Sequence, residues 1–176
     1  MTGRPRWHDE VSVGDELPEL VLPVTRTLIV AGAIASRDYQ DVHHDAELAK
    51  ARGSEDIFMN ILTTNGLVGR YVTDWAGPSA VLEKVAIRLG APNYPDDTMT
   101  LSGRVEASEQ PGGRGDGRAA VTVSVRGRNS RGDHVTGTVR LALPVRGADL
   151  RPLPAGATSG TAAVEGARTE REGGGR

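Results

Sequence analysis

Four histidines occur in this chain, His8, His43, His44 and His134, and there is no cysteine. Two of the four fall in SRDYQDVHHD, residues 36–45, with Asp38, Asp41 and Asp45 around them. A carboxylate and an imidazole five positions apart, on a loop between two helical stretches, are the groups that acid–base chemistry on a bound water requires. Asp45 has a structural use as the N-cap of the following AELAKAR. Asp41 is expected in solvent. Neighbouring side chains diverge in an extended loop, so His43 and His44 should not face one pocket. Asp38 and His43 remain as the candidate pair. His8, near the start, and His134, opening a strand at a turn, are expected to be solvated.

Other chemistries find less support. One His with a carboxylate is a poor zinc set, and neither HxxxH nor a cysteine partner is present, so no metal is expected. No G-x-S-x-G elbow exists, and Ser36, near His43, has no further support as a nucleophile. GGRGDG, residues 112–117, lies between strands and lacks the Lys-Ser/Thr ending and the following helix of a phosphate loop. RGD at 114–116 and at 131–133 reads as turn chemistry. With 21 Lys+Arg against 23 Asp+Glu the formal charge is −2, which argues against nucleic acid or an anionic membrane as the main partner. The missing cysteines exclude disulfides, thiol catalysis and thiolate metal sites and suit a reduced compartment. No run of about 18 apolar residues is present, and Met1–Glu10 lacks the apolar core of a secretory signal. A cytoplasmic location is the expectation.

The candidate pair needs elements to hold it. Glu16 to Val24 reads as extended, and Pro18 and Pro23 confine it to a sheet edge. Thr27 precedes LIVAGAIAS and is the expected cap of a short helix, apolar on nearly every face, therefore buried, ending near Asp38. Asp45 starts a second short helix that Gly53 stops. Asn60 to Trp75 has the length of a helix and apolar side chains all round. Gly66 and Gly69 inside it each cost about 1 kcal/mol relative to alanine, which implies close backbone approach to a sheet.

Beyond Pro78 the period becomes two. Val81, Val85, Ile87 and Leu89 alternate with Lys84 and Arg88. Met99, Leu101 and Val105 share a face, as do Val121, Val123 and Val125, and then Val135, Val139, Leu141 and Leu143. Four such strands in succession predict an antiparallel sheet with one buried face. The fold class is α+β: a curved antiparallel sheet wrapped around one long central helix, the single hotdog arrangement, over residues 1–146. Gly147 to Arg176 is small, polar and rich in glycine and proline, and is expected to be a disordered tail. A lone sheet of this kind leaves an edge open, so pairing with another chain is expected.

Ser36, Asp38, His43 and Asp45, after a Thr-initiated helix, stand in the register of Ser-x-Asp-x-Asn-Pro-x-His-x-Asp. In this the chain resembles the MaoC-like, R-specific enoyl-CoA hydratases, with Gln40 and Asp41 in place of the usual Asn and Pro. DVHHD, DIFMNILTTNGLV, RYVTDWAGPSA, IRLGAP and GRNSRGDHVT resemble more narrowly the small MaoC-like subunit of the heteromeric enoyl-CoA hydratases of actinobacterial steroid side-chain degradation, a part of steroid and cholesterol catabolism.

The resemblance implies hydration of an enoyl-CoA thioester, with Asp38 and His43 holding one water and His43 as the general base. It implies an oxyanion site from backbone N–H groups of Asn60 or Ile61 at the start of the central helix, where Met59-Asn60 replaces the family's His-Gly, and Gln40 as a further substrate contact. No cofactor is implied beyond the CoA of the substrate. The implied partner is a larger MaoC-like subunit with an OB-like domain, which recruits a thiolase-like aldolase. A non-catalytic subunit completing a partner's CoA groove is the alternative. A hotdog thioesterase is a further one, disfavoured because Asp74, the carboxylate on the central helix, lies at its far end.

Overall fold

In a computed structural model of the chain, the described residues are 4–112 and 115–151. A 3₁₀ turn, His8–Glu10, precedes strand β1, Glu16–Val24. Helix α1, Arg26–Ala35, leads through the 3₁₀ turn Asp41–His43 to the short helix α2, Ala46–Ala51. The long helix α3 is Ile61–Ala76. Strands β2, Val81–Leu89, β3, Asp97–Ser108, β4, Arg118–Asn129, and β5, Gly132–Pro144, complete the order. They form one sheet in the order β1-β3-β4-β5-β2, with every pairing antiparallel. The expected α+β hotdog architecture is present.

The side chains that alternate inward make the core. Met99, Leu101, Val105, Val121, Val123, Val125, Val135, Val139, Leu141 and Leu143 are buried against Val68, Tyr71, Val72 and Ala76 of α3. Strand β1 lies at one edge, as its prolines require, and its register with β3 slips between Leu17 and Leu20, so Pro18 sits in an irregularity where no ladder N–H is needed. Strand β2 forms the opposite edge, and none of its residues is fully buried. The inward face expected for this strand is therefore left half open in the single chain.

Helix α1 differs from expectation in two respects. Its N-cap is Thr25, whose hydroxyl oxygen accepts the Leu28 N–H at 3.0 Å, rather than Thr27. The helix starts two residues earlier because a cap must precede the first helical residue by one and receive the N–H of N3. The helix is also not buried on all faces: Ile29 and Ala33 are buried, while Ile34 is 58% exposed. The other two helices begin where the sequence places them. Asp45 accepts from the N–H groups of Glu47 and Leu48, both at 3.0 Å, and Gly53 follows α2 with φ +88°.

Of the two glycines in α3, Gly69 meets the sheet. A Cβ there would touch Leu82 and Val85 of β2 at 3.5 and 3.8 Å. Gly66, one turn earlier, has nothing within 4 Å. The close approach read from both glycines is made by Gly69. Of the segment expected to be a tail, Gly147–Arg151 is described: the Arg151 N–H reaches the Asp116 carbonyl at 3.3 Å and Arg118 donates to the Arg151 carbonyl at 3.0 Å. The remainder, 152–176, lies outside the described residues, as does part of the first RGD.

Candidate active site

Asp38 is placed by the way α1 ends. The N–H of Arg37 returns to the Ile34 carbonyl at 3.1 Å and that of Asp38 to the Ala33 carbonyl at 2.9 Å. Arg37 takes φ 58° between them. This paired pattern is a Schellman ending with an arginine at the left-handed position, where glycine is usual. It turns the chain sharply enough to aim the Asp38 carboxylate back across the helix end.

His43 is placed from the other side. Its N–H closes the 3₁₀ turn on the Gln40 carbonyl at 3.0 Å, and the Phe58 N–H bonds the Val42 carbonyl at 3.1 Å. The ring is buried, its Nδ1 lies 2.7 Å from the Phe58 carbonyl, and it meets the Phe58 ring edge-on with centroids 5.0 Å apart. A carbonyl oxygen only accepts, so Nδ1 carries a proton and Nε2 is directed at the cleft. Nε2 stands 3.3 Å from Asp38 Oδ2. The pair predicted from sequence is in contact.

The neighbours divide as expected. His44 points away and its Nε2 lies 3.3 Å from the Tyr39 carbonyl. Asp41 pairs with Arg52 at 2.7 Å on the outside. Ser36 donates its hydroxyl proton to the Gly32 carbonyl at 2.7 Å, so it is no nucleophile for His43. Asp74 pairs with Arg70 at 3.3 Å, at the far end of α3. The RGD at 131–133 is engaged within the fold: Arg131 binds Glu55 and Asp133 binds Arg126 at 2.7 Å.

A cleft of about 320 Å³ opens over the pair. Its lining brings together Asp38, Gln40 and His43 with Met59, Asn60 and Ile61 at the start of α3, and with Gly90, Ala91 and Pro92 beyond β2. All five residues singled out from sequence border one space. Asn60 caps α3, its Oδ1 accepting the Thr63 N–H at 2.9 Å. The Met59 N–H is engaged by the Asn93 carbonyl at 3.0 Å, and Thr64 N–H bonds the Asn60 carbonyl at 3.2 Å. The Ile61 N–H, first in the helix, has no carbonyl four residues back within α3 to bond. It lies at the end of the helix where partial positive charge gathers.

Two features escaped the sequence. His134 is buried and lines the cleft, contrary to the expectation of a solvated ring. The β4–β5 register slips between Gly127 and Arg128: Arg128 opposes Asp133 while Gly127 opposes Val135, leaving His134 as the extra residue of a bulge. A bulge re-aims one side chain, which strict alternation does not anticipate. Its Nδ1 lies 2.7 Å from the Ala91 carbonyl and its Nε2 2.9 Å from the Thr64 hydroxyl, so it ties the turn after β2 to α3. Burial pushes this imidazole below its ordinary pKa, against the opposing pull of the Ala91 carbonyl. His8, also expected in solvent, is buried beside the Ser108 hydroxyl at 2.9 Å, far from the cleft. The N-terminal segment folds onto the end of α3, where the Arg6 N–H meets the Ala76 carbonyl at 3.2 Å. The second missed feature is the Asn60 side chain, which the sequence pattern places only at the start of the long helix. Its amide nitrogen also donates to Asp38 Oδ2 at 3.0 Å and to Ser36 Oγ at 2.8 Å.

Comparison with known proteins agrees with this arrangement. No protein-family model matches the chain. Over 131 residues it is 56% identical to the 3-oxo-4,17-pregnadiene-20-carboxyl-CoA hydratase beta subunit of Mycobacterium tuberculosis, covering 74% of this chain and 95% of that protein. The crystal structure of the ChsH1-ChsH2 complex from the same organism contains a chain 55% identical, with a TM-score of 0.69, covering 75% of this chain and 98% of that one. The R-hydratase PhaJ1 of Pseudomonas aeruginosa aligns with a TM-score of 0.65 over 85% of this chain and 96% of its own; at 21% identity it shows a shared fold.

Proposed function

This chain belongs to the MaoC-like hydratases, in the family of the 3-oxo-4,17-pregnadiene-20-carboxyl-CoA hydratase beta subunit, and we propose that it is the catalytic small subunit of a heteromeric enoyl-CoA hydratase that adds water to a steroid side-chain enoyl-CoA. The observation that carries this reading is the 3.3 Å approach of His43 Nε2 to Asp38 Oδ2 at the wall of a cleft.

Hydration of an enoyl thioester has three demands. A water must lose a proton as its oxygen bonds the β-carbon. The thioester oxygen must carry the charge that the double-bond electrons bring to it. The α-carbon must then receive a proton. The Nδ1–H bond to Phe58 leaves Nε2 as the basic atom of a neutral His43, beside a carboxylate that orients the water. His43 takes the proton, Asp38 holds the water by its other hydrogen, and the pair returns a proton to the α-carbon from the same face. The thioester oxygen is received at the start of α3 by the backbone N–H groups of Asn60 and Ile61, with Gln40 at the rim of the cleft. Asp38, His43, Asn60 and Ile61 supply every group the reaction needs, and the substrate brings its own CoA, so no cofactor enters.

The relative's occurrence in a two-protein complex fits the open flank of this chain. Leu62 and Leu82 are exposed, a Cβ added at Gly66 would meet nothing within 4 Å among the described residues, and β2 presents a free edge. A larger MaoC-like subunit with an OB-like domain covers this flank and supplies the second wall of the acyl groove. The β-hydroxyacyl thioester formed is the class of compound a retro-aldol cleavage consumes, so a thiolase-like aldolase is the proposed next step. No helix among the described residues is long and apolar enough to cross a membrane, and a CoA thioester substrate suits the cytoplasm.

The test is co-purification followed by assay. The chain and its accompanying partner, given 3-oxo-4,17-pregnadiene-20-carboxyl-CoA, should yield a product heavier by one water with the thioester intact. Release of free CoA instead identifies a thioesterase, and a partner fully active alone reduces this chain to a scaffold.

A further inference from the structure

Asn60 is 2% exposed, and every polar position of its amide is engaged. Oδ1 accepts the Thr63 N–H at 2.9 Å; Nδ2 donates to Ser36 Oγ at 2.8 Å and to Asp38 Oδ2 at 3.0 Å. The orientation of the amide is fixed by its partners. Thr63 offers an N–H and needs an oxygen. Ser36 has given its proton to the Gly32 carbonyl and can only accept. The nitrogen therefore faces Asp38.

We infer that the Asn60 side chain is a positioning residue for the hydration site: one amide caps the central helix and, with its other end, fixes the orientation of the Asp38 carboxylate beside His43 Nε2, where the two hold one water. The inference rests on the hydratase reading and adds to it a role that a cap alone does not have. Asp38 Oδ2 receives the Asn60 N–H on one side and faces His43 Nε2 on the other, so the plane of the carboxylate is set by a group locked in the core. The Asn60 N–H holds that carboxylate oxygen in one orientation. The remaining ionisable groups around Asp38 do not duplicate this contact. Arg37 is exposed, Asp41 is turned outward to Arg52, the first turn of α3 has no acidic residue, and His134, on the cleft wall from β5, is engaged by Thr64 and Ala91.

The separating variant is Asn60→Asp in the complex with the partner chain. Aspartate caps a helix as well as asparagine does and places negative charge at the favourable end, so a purely structural role predicts unchanged or raised thermal stability and unchanged turnover. The positioning role predicts otherwise. A carboxylate oxygen then faces the Asp38 carboxylate where an N–H stood, and like charges at that distance oppose ionisation of the pair. With 3-oxo-4,17-pregnadiene-20-carboxyl-CoA as the probe, kcat should fall by about tenfold to a hundredfold. KM should change by less than about threefold, and the acidic limb of the kcat–pH profile should move up by about one unit. Asn60→Ser, which keeps a capping oxygen and removes the donor, should lose turnover with a smaller pH displacement, and it serves as the test if Asn60→Asp does not assemble. Wild-type kcat and pH profile in the assembled variants overturn the inference. Asp38→Asn in the same complex separates this from the parent reading: if that variant hydrates normally, the acid–base assignment itself fails; if it is inactive while the Asn60 variants are normal, only the positioning role fails.

Discussion

Gly32 of α1 lies directly against Thr63 of α3: a Cβ at residue 32 would overlap Thr63 Oγ1 and stand 2.7 Å from its Cγ2. This contact sets how closely the helix that ends at Asp38 approaches the helix that begins at Asn60. Gly32→Ala is expected to push α1 outward, destabilise the fold by about 1–3 kcal/mol and lower hydratase turnover by displacing Asp38. Thr63→Ala removes the atoms in conflict and deletes a hydroxyl that is buried without a hydrogen-bond partner among the described residues, so alone it should be close to neutral. Combined with Gly32→Ala it should restore most of the lost stability. Chemical denaturation of the two single variants and the double variant measures this coupling directly. Additive losses would show that the contact does not set the spacing.

The acid–base pair makes a second prediction. Asp38→Asn and His43→Gln keep the side-chain volumes and most of the local hydrogen bonds, so circular dichroism and melting temperature should change little. Turnover should fall at least about a hundredfold in each, the scale of lost proton transfer. The double variant should fall little further, because two groups acting on one water are not additive. Near-normal rates in either single variant would remove that residue from the mechanism.

That Asp38 and His43 come together was legible in the sequence because each has a local cause, whereas Gln40, Asn60 and Ile61 were placed beside them by the family resemblance. Asp38 and His43 bracket a helix exit, Asp45 caps the next helix, and the long run from Asn60 has only one element type open to it. What escaped depends on contacts across the chain. His134 is aimed inward by a register slip between β4 and β5, and no periodicity within β5 records where its neighbour slips. Asn60 reads from sequence as the first residue of the long helix, but its side chain caps that helix and its bond to Asp38 spans 22 positions. The misjudged burial of α1 has the opposite origin. Ile34 has the composition of a core residue, yet it is 58% exposed among the described residues.

Tyr71 offers a test of the core. Its ring packs in the sheet beneath Gly103, where an added Cβ would meet Cε1 at 3.2 Å. The residue is 4% exposed, and its hydroxyl has no hydrogen-bond partner among the described residues. Burial, with a smaller contribution from the charge of Glu19, pushes the phenol up to about 12, so it stays neutral at any working pH. A buried unpaired hydroxyl carries an uncompensated desolvation cost. Tyr71→Phe should therefore stabilise the protein by about 1 kcal/mol, seen as a higher denaturation midpoint with unchanged steepness. A loss of stability would show that the hydroxyl is satisfied in solution.

His134 links stability to pH, with a definite sign. The unfolded chain takes up a proton on this residue near its ordinary value of 6.5, whereas the buried ring does so only at lower pH. Between those two values the unfolded state holds more protons, so stability rises with pH across the interval and is lost as pH falls below about 6.5. The geometry gives the cause. In the neutral ring Nδ1–H donates to the Ala91 carbonyl and Nε2 accepts the Thr64 hydroxyl proton. A second proton on the ring forces Thr64 to turn its own proton to the Asn60 carbonyl, 3.2 Å away, and places a charge in the core. The melting temperature should fall as pH is lowered from 7 toward 5, and His134→Gln should flatten that slope while lowering stability at pH 7, where the native ring is well satisfied. Asp56, held near 2 by the Arg26 guanidinium, loses its contribution only below its ordinary 3.8, so carboxylate pairing of that kind does not mask the interval. An unaltered slope in His134→Gln would place the titrating group elsewhere.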